Sequence, residues 1–91
     1  MRFSDALVRR ILDTEAESRQ LYRLHGWTYQ PGFWPWGMFA PSAREAGYSD
    51  RNGNARRLAW KACRSSTVQR ELSRRFREAG ARHWVRWVNR L

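Results

Sequence analysis

Apolar residues recur at helical spacing near both ends of the chain and lose that period in the middle. The first periodic segment, residues 4–25, predicts a helix. Its apolar face is formed by Leu7, Val8, Ile11, Leu12 and Tyr22. Ser4 is a good N-cap, and Gly26 suits the left-handed residue that ends a helix. A capping-box match at residues 14–17 leaves open an interruption or restart within this helix.

Three shorter periodic segments follow in the second half of the chain. Residues 54–64, 66–79 and 81–91 each repeat apolar side chains every three or four positions and predict three helices. Ser66 and Gln69 match a capping box at the start of the second of these helices. The last segment has an apolar stripe of Trp84, Trp87, Val88 and Leu91 and a basic stripe of Arg82, Arg86 and Arg90. Both stripes follow the spacing of a single amphipathic helix.

The middle segment, residues 27–53, has no helical period and holds all three prolines. Residues 30–33 fit a type II turn, across which Trp27–Tyr29 and Phe33–Trp36 could pair as a short hairpin. A second capping-box match predicts one helical turn over residues 42–47. The pattern therefore predicts an all-α protein: a small bundle of three to four helices with an aromatic Pro/Gly-rich connection.

A chain of 91 residues has room for one domain. We expect a single domain over 1–91, made of an N-terminal helix (1–26), the aromatic connection (27–53) and a strongly basic helical region (54–91). The first residues lack the apolar stretch and cleavage site of a secretory signal. No apolar run approaches the roughly 18 residues that a membrane span needs. These observations predict a cytoplasmic protein and disfavour a membrane as its partner.

The charge is concentrated at one end of the chain. Eighteen basic side chains oppose eight acidic ones, which gives a formal net charge of +10. Residues 1–25 sum to +1 and residues 26–50 to −1, so residues 51–91 carry a net +10. Concentrating like charge costs self-repulsion and does nothing for folding. Such a pattern indicates an anionic partner.

The predicted binding surface centres on Trp60 in the helix over 54–64. Arg56, Arg57, Lys61 and Arg64 lie one, three or four positions from it, and helical neighbours three and four apart share a surface. A tryptophan among guanidinium groups can stack on a base or hold a phosphate-binding arginine in place. The alternative is that Trp60 turns onto the core and the basic residues are a solvated face.

The helix over 66–79 extends this basic surface with Arg70, Arg74 and Arg77 along one face. Together the two helices predict a non-catalytic nucleic-acid-binding protein, for DNA or RNA, that neutralises phosphates. No base-reading residue stands out, so sequence specificity is not predicted. The alternative is a small phage- or plasmid-type inhibitor or adaptor that binds a host protein or nucleoprotein complex.

Aromatic residues provide a second group of candidates, for contact with a protein. They are Trp27, Phe33, Trp34, Trp36, Trp84 and Trp87. Exposed aromatic side chains anchor protein interfaces, but in a short chain they more often fill the core. For the tryptophan stripe of residues 84–91 we favour packing on the first helix. Docking into a partner's groove, binding at an anionic membrane and a homodimer that buries the stripe stay open.

Chemically reactive residues are few. One cysteine and two histidines cannot form a disulfide within the chain or a four-ligand Cys/His zinc site. Cys63 falls on an apolar stripe, so we expect it to be buried rather than nucleophilic. Glu15 and Glu17 point to different faces of their helix, and neither histidine has a partner nearby in sequence. We therefore expect no catalytic residues, no metal and no cofactor.

Overall fold

The computed structural model describes residues 2–30, 37–48 and 55–91, apart from the side chains of Ala40, Ala55, Arg56, Leu58 and Ala59. Within these residues the protein forms five helices and no strand, which confirms the predicted all-α class. The helices are α1 (Phe3–His25), α2 (Phe39–Glu45), α3 (Ala55–Cys63), α4 (Ser66–Glu78) and α5 (Arg82–Asn89).

Helix α1 forms as one continuous helix, without the break considered at residues 14–17. It begins one residue earlier than predicted: Arg2 is the N-cap, and Ser4 is a buried helical residue. The prediction that Ser4 is the N-cap is therefore wrong, because Phe3, the residue before it, is buried in the core and already belongs to the helix. The predicted end is confirmed, since Gly26 adopts a left-handed conformation with φ of 69°.

Helix α2 is longer than the single turn predicted over residues 42–47. It begins at Phe39, whose buried ring fixes this segment against the core. Pro41 falls in the first turn, where a backbone N–H is not needed for helical hydrogen bonds. No periodic pattern of apolar residues marks this start, so α2 is a helix beyond the four predicted from periodicity. Gly47, with φ of 92°, follows its end.

The predicted hairpin does not appear in the arm that the structure describes. Trp27–Tyr29 form no strand. The opposite arm, Phe33–Trp36, and most of the turn over 30–33 lie outside the described residues.

Helices α3, α4 and α5 match the predicted segments to within two residues at each end. The capping box at Ser66 is wrong, because Ser65 is the N-cap of α4 and makes no side-chain capping hydrogen bond. Gly80 lies just beyond α4 with φ of 72°, a conformation that favours glycine. This tight turn returns the chain so that α5 packs directly on α4.

The core lies between the first half of α1, the apolar faces of α2, α4 and α5, and Cys63 at the end of α3. Its largest buried side chains are Leu7, Ile11, Phe39, Leu72, Phe76, Trp84 and Val88. Packing of the tryptophan stripe into the core is therefore confirmed for Trp84 and Val88. Trp84 and Val88 are therefore not available to a homodimer that would bury this stripe, whereas Trp87 and Leu91 are only partly buried.

Candidate functional site

Basic side chains line an open groove between α4 and α5. Two cavities of about 510 and 360 Å³ share Arg77 and together form what we call the α4–α5 groove. The arginines of this groove are Arg70, Arg74 and Arg77 from α4 and Arg82 and Arg86 from α5. All five are exposed. The remaining lining is mainly polar, with Ser66, Gln69, Ser73 and Asn89.

Amphipathic spacing explains how these arginines come together. Residues 70, 74 and 77 follow one face of α4, and residues 82 and 86 follow one face of α5. The opposite faces are fixed in the core by Phe76 and Trp84, whose rings stack with centroids 6.1 Å apart. Burying the two apolar faces against each other leaves both basic faces at the edges of the same groove.

Four of the acidic residues that the structure describes pair with arginines outside the groove. These ion pairs are Arg2–Glu71, Arg75–Asp5, Arg9–Glu45, Arg10–Glu45 and Arg19–Glu15. The hydrogen bond from Arg2 holds the pKa of Glu71 below its usual value. Two of these pairs, Arg2–Glu71 and Arg75–Asp5, join α1 to α4. The acids therefore contribute to packing rather than to neutralising the groove.

The groove keeps an excess of positive charge. In the part of the chain that the structure describes, no carboxylate lies within 4 Å of the guanidinium groups of Arg70, Arg77, Arg82 or Arg86. Arg74 forms an ion pair of 3.1 Å with Glu78, but both side chains are about half exposed. Exposed pairs of this kind contribute only tenths of a kcal/mol, so an anionic ligand can compete for Arg74.

The structure separates the predicted Trp60-centred surface from the groove. Trp60 is half-buried and packs edge-to-face on Phe39, with ring centroids 6.0 Å apart. Arg57, Lys61 and Arg64 are exposed on α3, and they do not line the α4–α5 groove. The side chain of Arg56 lies outside the described residues. Base stacking by Trp60 stays a prediction. The core already covers part of the Trp60 ring.

Only part of the groove was predicted as a site. Arg70, Arg74 and Arg77 were predicted as binding residues, whereas Arg86 was predicted only as part of the basic stripe of the last helix. The signal that could have joined them is Gly80, because a glycine turn between two amphipathic helices favours an antiparallel pair.

The predicted aromatic interface residues have different surroundings. Trp27 is 60% exposed and stacks on His25 with ring centroids 4.6 Å apart. Trp84 is only 2% exposed, so its assignment to a protein interface is wrong, because reaching a partner would open the core. Trp87 is half-buried against Phe39. The other three candidates, Phe33, Trp34 and Trp36, lie outside the described residues.

A buried carboxylate joins α1 to α5, and sequence reasoning missed it. Glu15 is 7% exposed, and the indole Nε1 of Trp84 donates a hydrogen bond of 2.5 Å to its Oε2. His83 Nε2 lies 2.9 Å from the same oxygen, and Arg19 lies 3.3 Å from Oε1. The predicted contrast between the faces of Glu15 and Glu17 is confirmed, because Glu17 is exposed. We call this group the Glu15 cluster.

Cys63 is fully buried, as predicted, and burial raises the pKa of its thiol to about 12. Such a shift lowers the thiolate fraction at neutral pH roughly a thousandfold below that of an exposed cysteine. We therefore expect a maleimide or disulfide reagent to label the folded protein far more slowly than the protein in denaturant. Rapid labelling of the folded protein at the denatured rate would contradict this prediction.

Other kinds of site find no support in the described part of the chain. No three His, Cys, Asp or Glu side chains there are grouped to hold a metal ion, and none of its helices has the length and apolar character to cross a membrane. No protein-family model, curated protein or solved structure matches this chain. The chemistry of the α4–α5 groove is therefore the basis for a proposed function.

Proposed function

We propose that this protein is a non-catalytic, cytoplasmic nucleic-acid-binding protein that holds phosphates in the α4–α5 groove. The observation that supports this most directly is the unneutralised charge of Arg70, Arg77, Arg82 and Arg86 among the described residues. Guanidinium groups bind phosphate oxygens in a bidentate manner, which strengthens and orients the contact.

The scaffold for this groove is a small helical bundle. Leu72 and Phe76 fix α4 from behind, and Trp84 and Val88 fix α5. Because both groove walls are anchored in the core, the arginine backbones are already in position before a ligand binds. Such preorganisation lowers the entropy cost of binding.

The composition of the groove favours the backbone of a duplex over single-stranded bases. Binding of single strands relies on exposed aromatic rings that stack on the bases. No aromatic side chain lines the described groove, and Trp84 and Trp87 turn towards the core. The polar residues Gln69 and Asn89 can add hydrogen bonds to phosphate oxygens. We therefore propose duplex binding without sequence specificity.

A salt titration with a labelled duplex tests this proposal. If all five groove arginines contact phosphates, log K should fall with log salt at a slope of about −4.5 for DNA. Affinity should then drop roughly 500-fold between about 50 and 200 mM salt, measured by fluorescence anisotropy. A single strand of the same length serves as the control and should bind more weakly. Binding that is independent of salt, or tighter to the single strand, would contradict the proposal.

The inhibitor or adaptor role is the second candidate for the same groove. An acidic protein surface presents carboxylates, which the exposed guanidinium groups can also bind. This candidate gains weight if duplex binding is absent at about 150 mM salt, since phosphate neutralisation should still be measurable there.

A further inference from the structure

The second half of α1 extends past the core and exposes apolar side chains. All buried residues of α1 lie between Phe3 and Glu15. Beyond them, Leu21 is 52% exposed and Leu24 is 81% exposed, and Trp27 just past the helix is 60% exposed. Most helical stability in proteins comes from packing of an apolar face, and neighbouring exposed apolar residues mark an interaction surface.

The order of the charges on this exposed face favours docking of a second copy of the chain. Glu17, Gln20 and Arg23 are all exposed and follow one another at intervals of three residues. In an antiparallel pair of α1 helices related by a two-fold axis at Gln20, Glu17 of each copy faces Arg23 of the other. The same axis places the small Ala16 opposite Leu24, so that the leucine can pack against the partner helix. The face is therefore complementary to itself in charge, and it sets a small residue opposite a large one.

The position of the core is compatible with this pairing. The buried residues of α1 lie nearer its N-terminus, between Phe3 and Glu15, so the exposed residues around Gln20 are beyond them along the helix. At 1.5 Å per residue, an antiparallel pair centred on Gln20 separates the midpoints of the two core segments by about 33 Å. Residues 1–25 have a net charge of only +1, so the excess positive charge of residues 51–91 does not arise from this surface.

We propose that the second half of α1 is a self-association surface, on which a second copy docks antiparallel through Leu24 and reciprocal Glu17–Arg23 ion pairs. This proposal is independent of nucleic-acid binding, because no residue of the α4–α5 groove takes part in it.

Sedimentation equilibrium of the full chain, freed of nucleic acid, tests the pairing. The wild-type chain should form a dimer that dissociates on dilution. Glu17→Arg or Arg23→Glu alone should weaken the dimer about tenfold, because each dimer loses two ion pairs. The double variant Glu17→Arg/Arg23→Glu should restore the dimer, since both charges are reversed together. Leu24→Asp should leave the chain monomeric.

The control is Arg57→Glu, which changes the net charge as Arg23→Glu does but on the exposed face of α3. It should leave the dimer intact, and circular dichroism should show unchanged helix content in every variant. A wild-type chain that stays monomeric over the whole concentration range overturns the proposal. So does a dimer that Leu24→Asp leaves intact, or a double variant that associates no better than the single ones.

Discussion

Replacing Arg70, Arg77 and Arg86 with alanine should weaken duplex DNA binding roughly 500-fold at about 100 mM salt. Each phosphate contact contributes about 0.9 to the slope of log K against log salt, so three lost contacts should change it from about −4.5 to about −1.8. The three side chains are exposed and make no ion pair among the described residues, so the fold should be unaffected. Fluorescence anisotropy at several salt concentrations measures both quantities.

The matched control removes the same charge from α3. Arg57, Lys61 and Arg64 are also exposed but lie outside the groove, and their triple alanine variant should lose less than about tenfold in affinity. This comparison also tests the surface around Trp60 that the sequence predicted. If the α3 variant loses as much affinity as the groove variant, or more, then the α4–α5 groove is not the principal binding site.

Sequence periodicity predicted the helices well where an apolar stripe repeats over several turns. It predicted α1, α3, α4 and α5 because each has such a stripe. It missed most of α2, a helix of seven residues in which Phe39 supplies the main buried side chain. A single aromatic residue has no period, so only the tertiary contact shows that this segment is helical.

The position of Trp60 shows a second limit of sequence reasoning. Its helix has a stripe of small residues that was predicted to face the core, which left Trp60 for the polar side. In the structure Trp60 instead packs on Phe39, while Cys63 is buried as predicted. Spacing within one helix cannot reveal that α2 lies close enough to cover a large ring at the edge of the stripe.

The groove itself was half predictable. Helical spacing alone predicts each of its two rows of arginines. That the two rows line the same groove depends on how α5 packs on α4 after Gly80. The Glu15 cluster was not predictable, because its two partners on α5, His83 and Trp84, are 68 and 69 residues away. A glutamate in an amphipathic helix ordinarily faces solvent, and nothing local to Glu15 indicates a buried donor.

Replacing Glu15 with alanine should lower the free energy of unfolding by about 2–4 kcal/mol. The change removes the acceptor of the buried Trp84 indole N–H and the carboxylate beside the half-buried His83. A chain of 91 residues has a total stability of about 5–14 kcal/mol, so this loss is a large fraction of it. Urea unfolding followed by circular dichroism measures the difference.

Glu78→Ala is the matched control, because Glu78 also forms an ion pair with an arginine but its side chain is about half exposed. It should cost less than about 0.5 kcal/mol, which separates the effect of burial from the effect of losing an ion pair. Glu15→Gln should lie between the two, since its amide oxygen can still accept from Trp84 while the negative charge is lost. If Glu15→Ala costs no more than Glu78→Ala, the Glu15 cluster does not hold α5 to α1. The anchoring of the α5 wall of the groove would then depend on apolar packing alone.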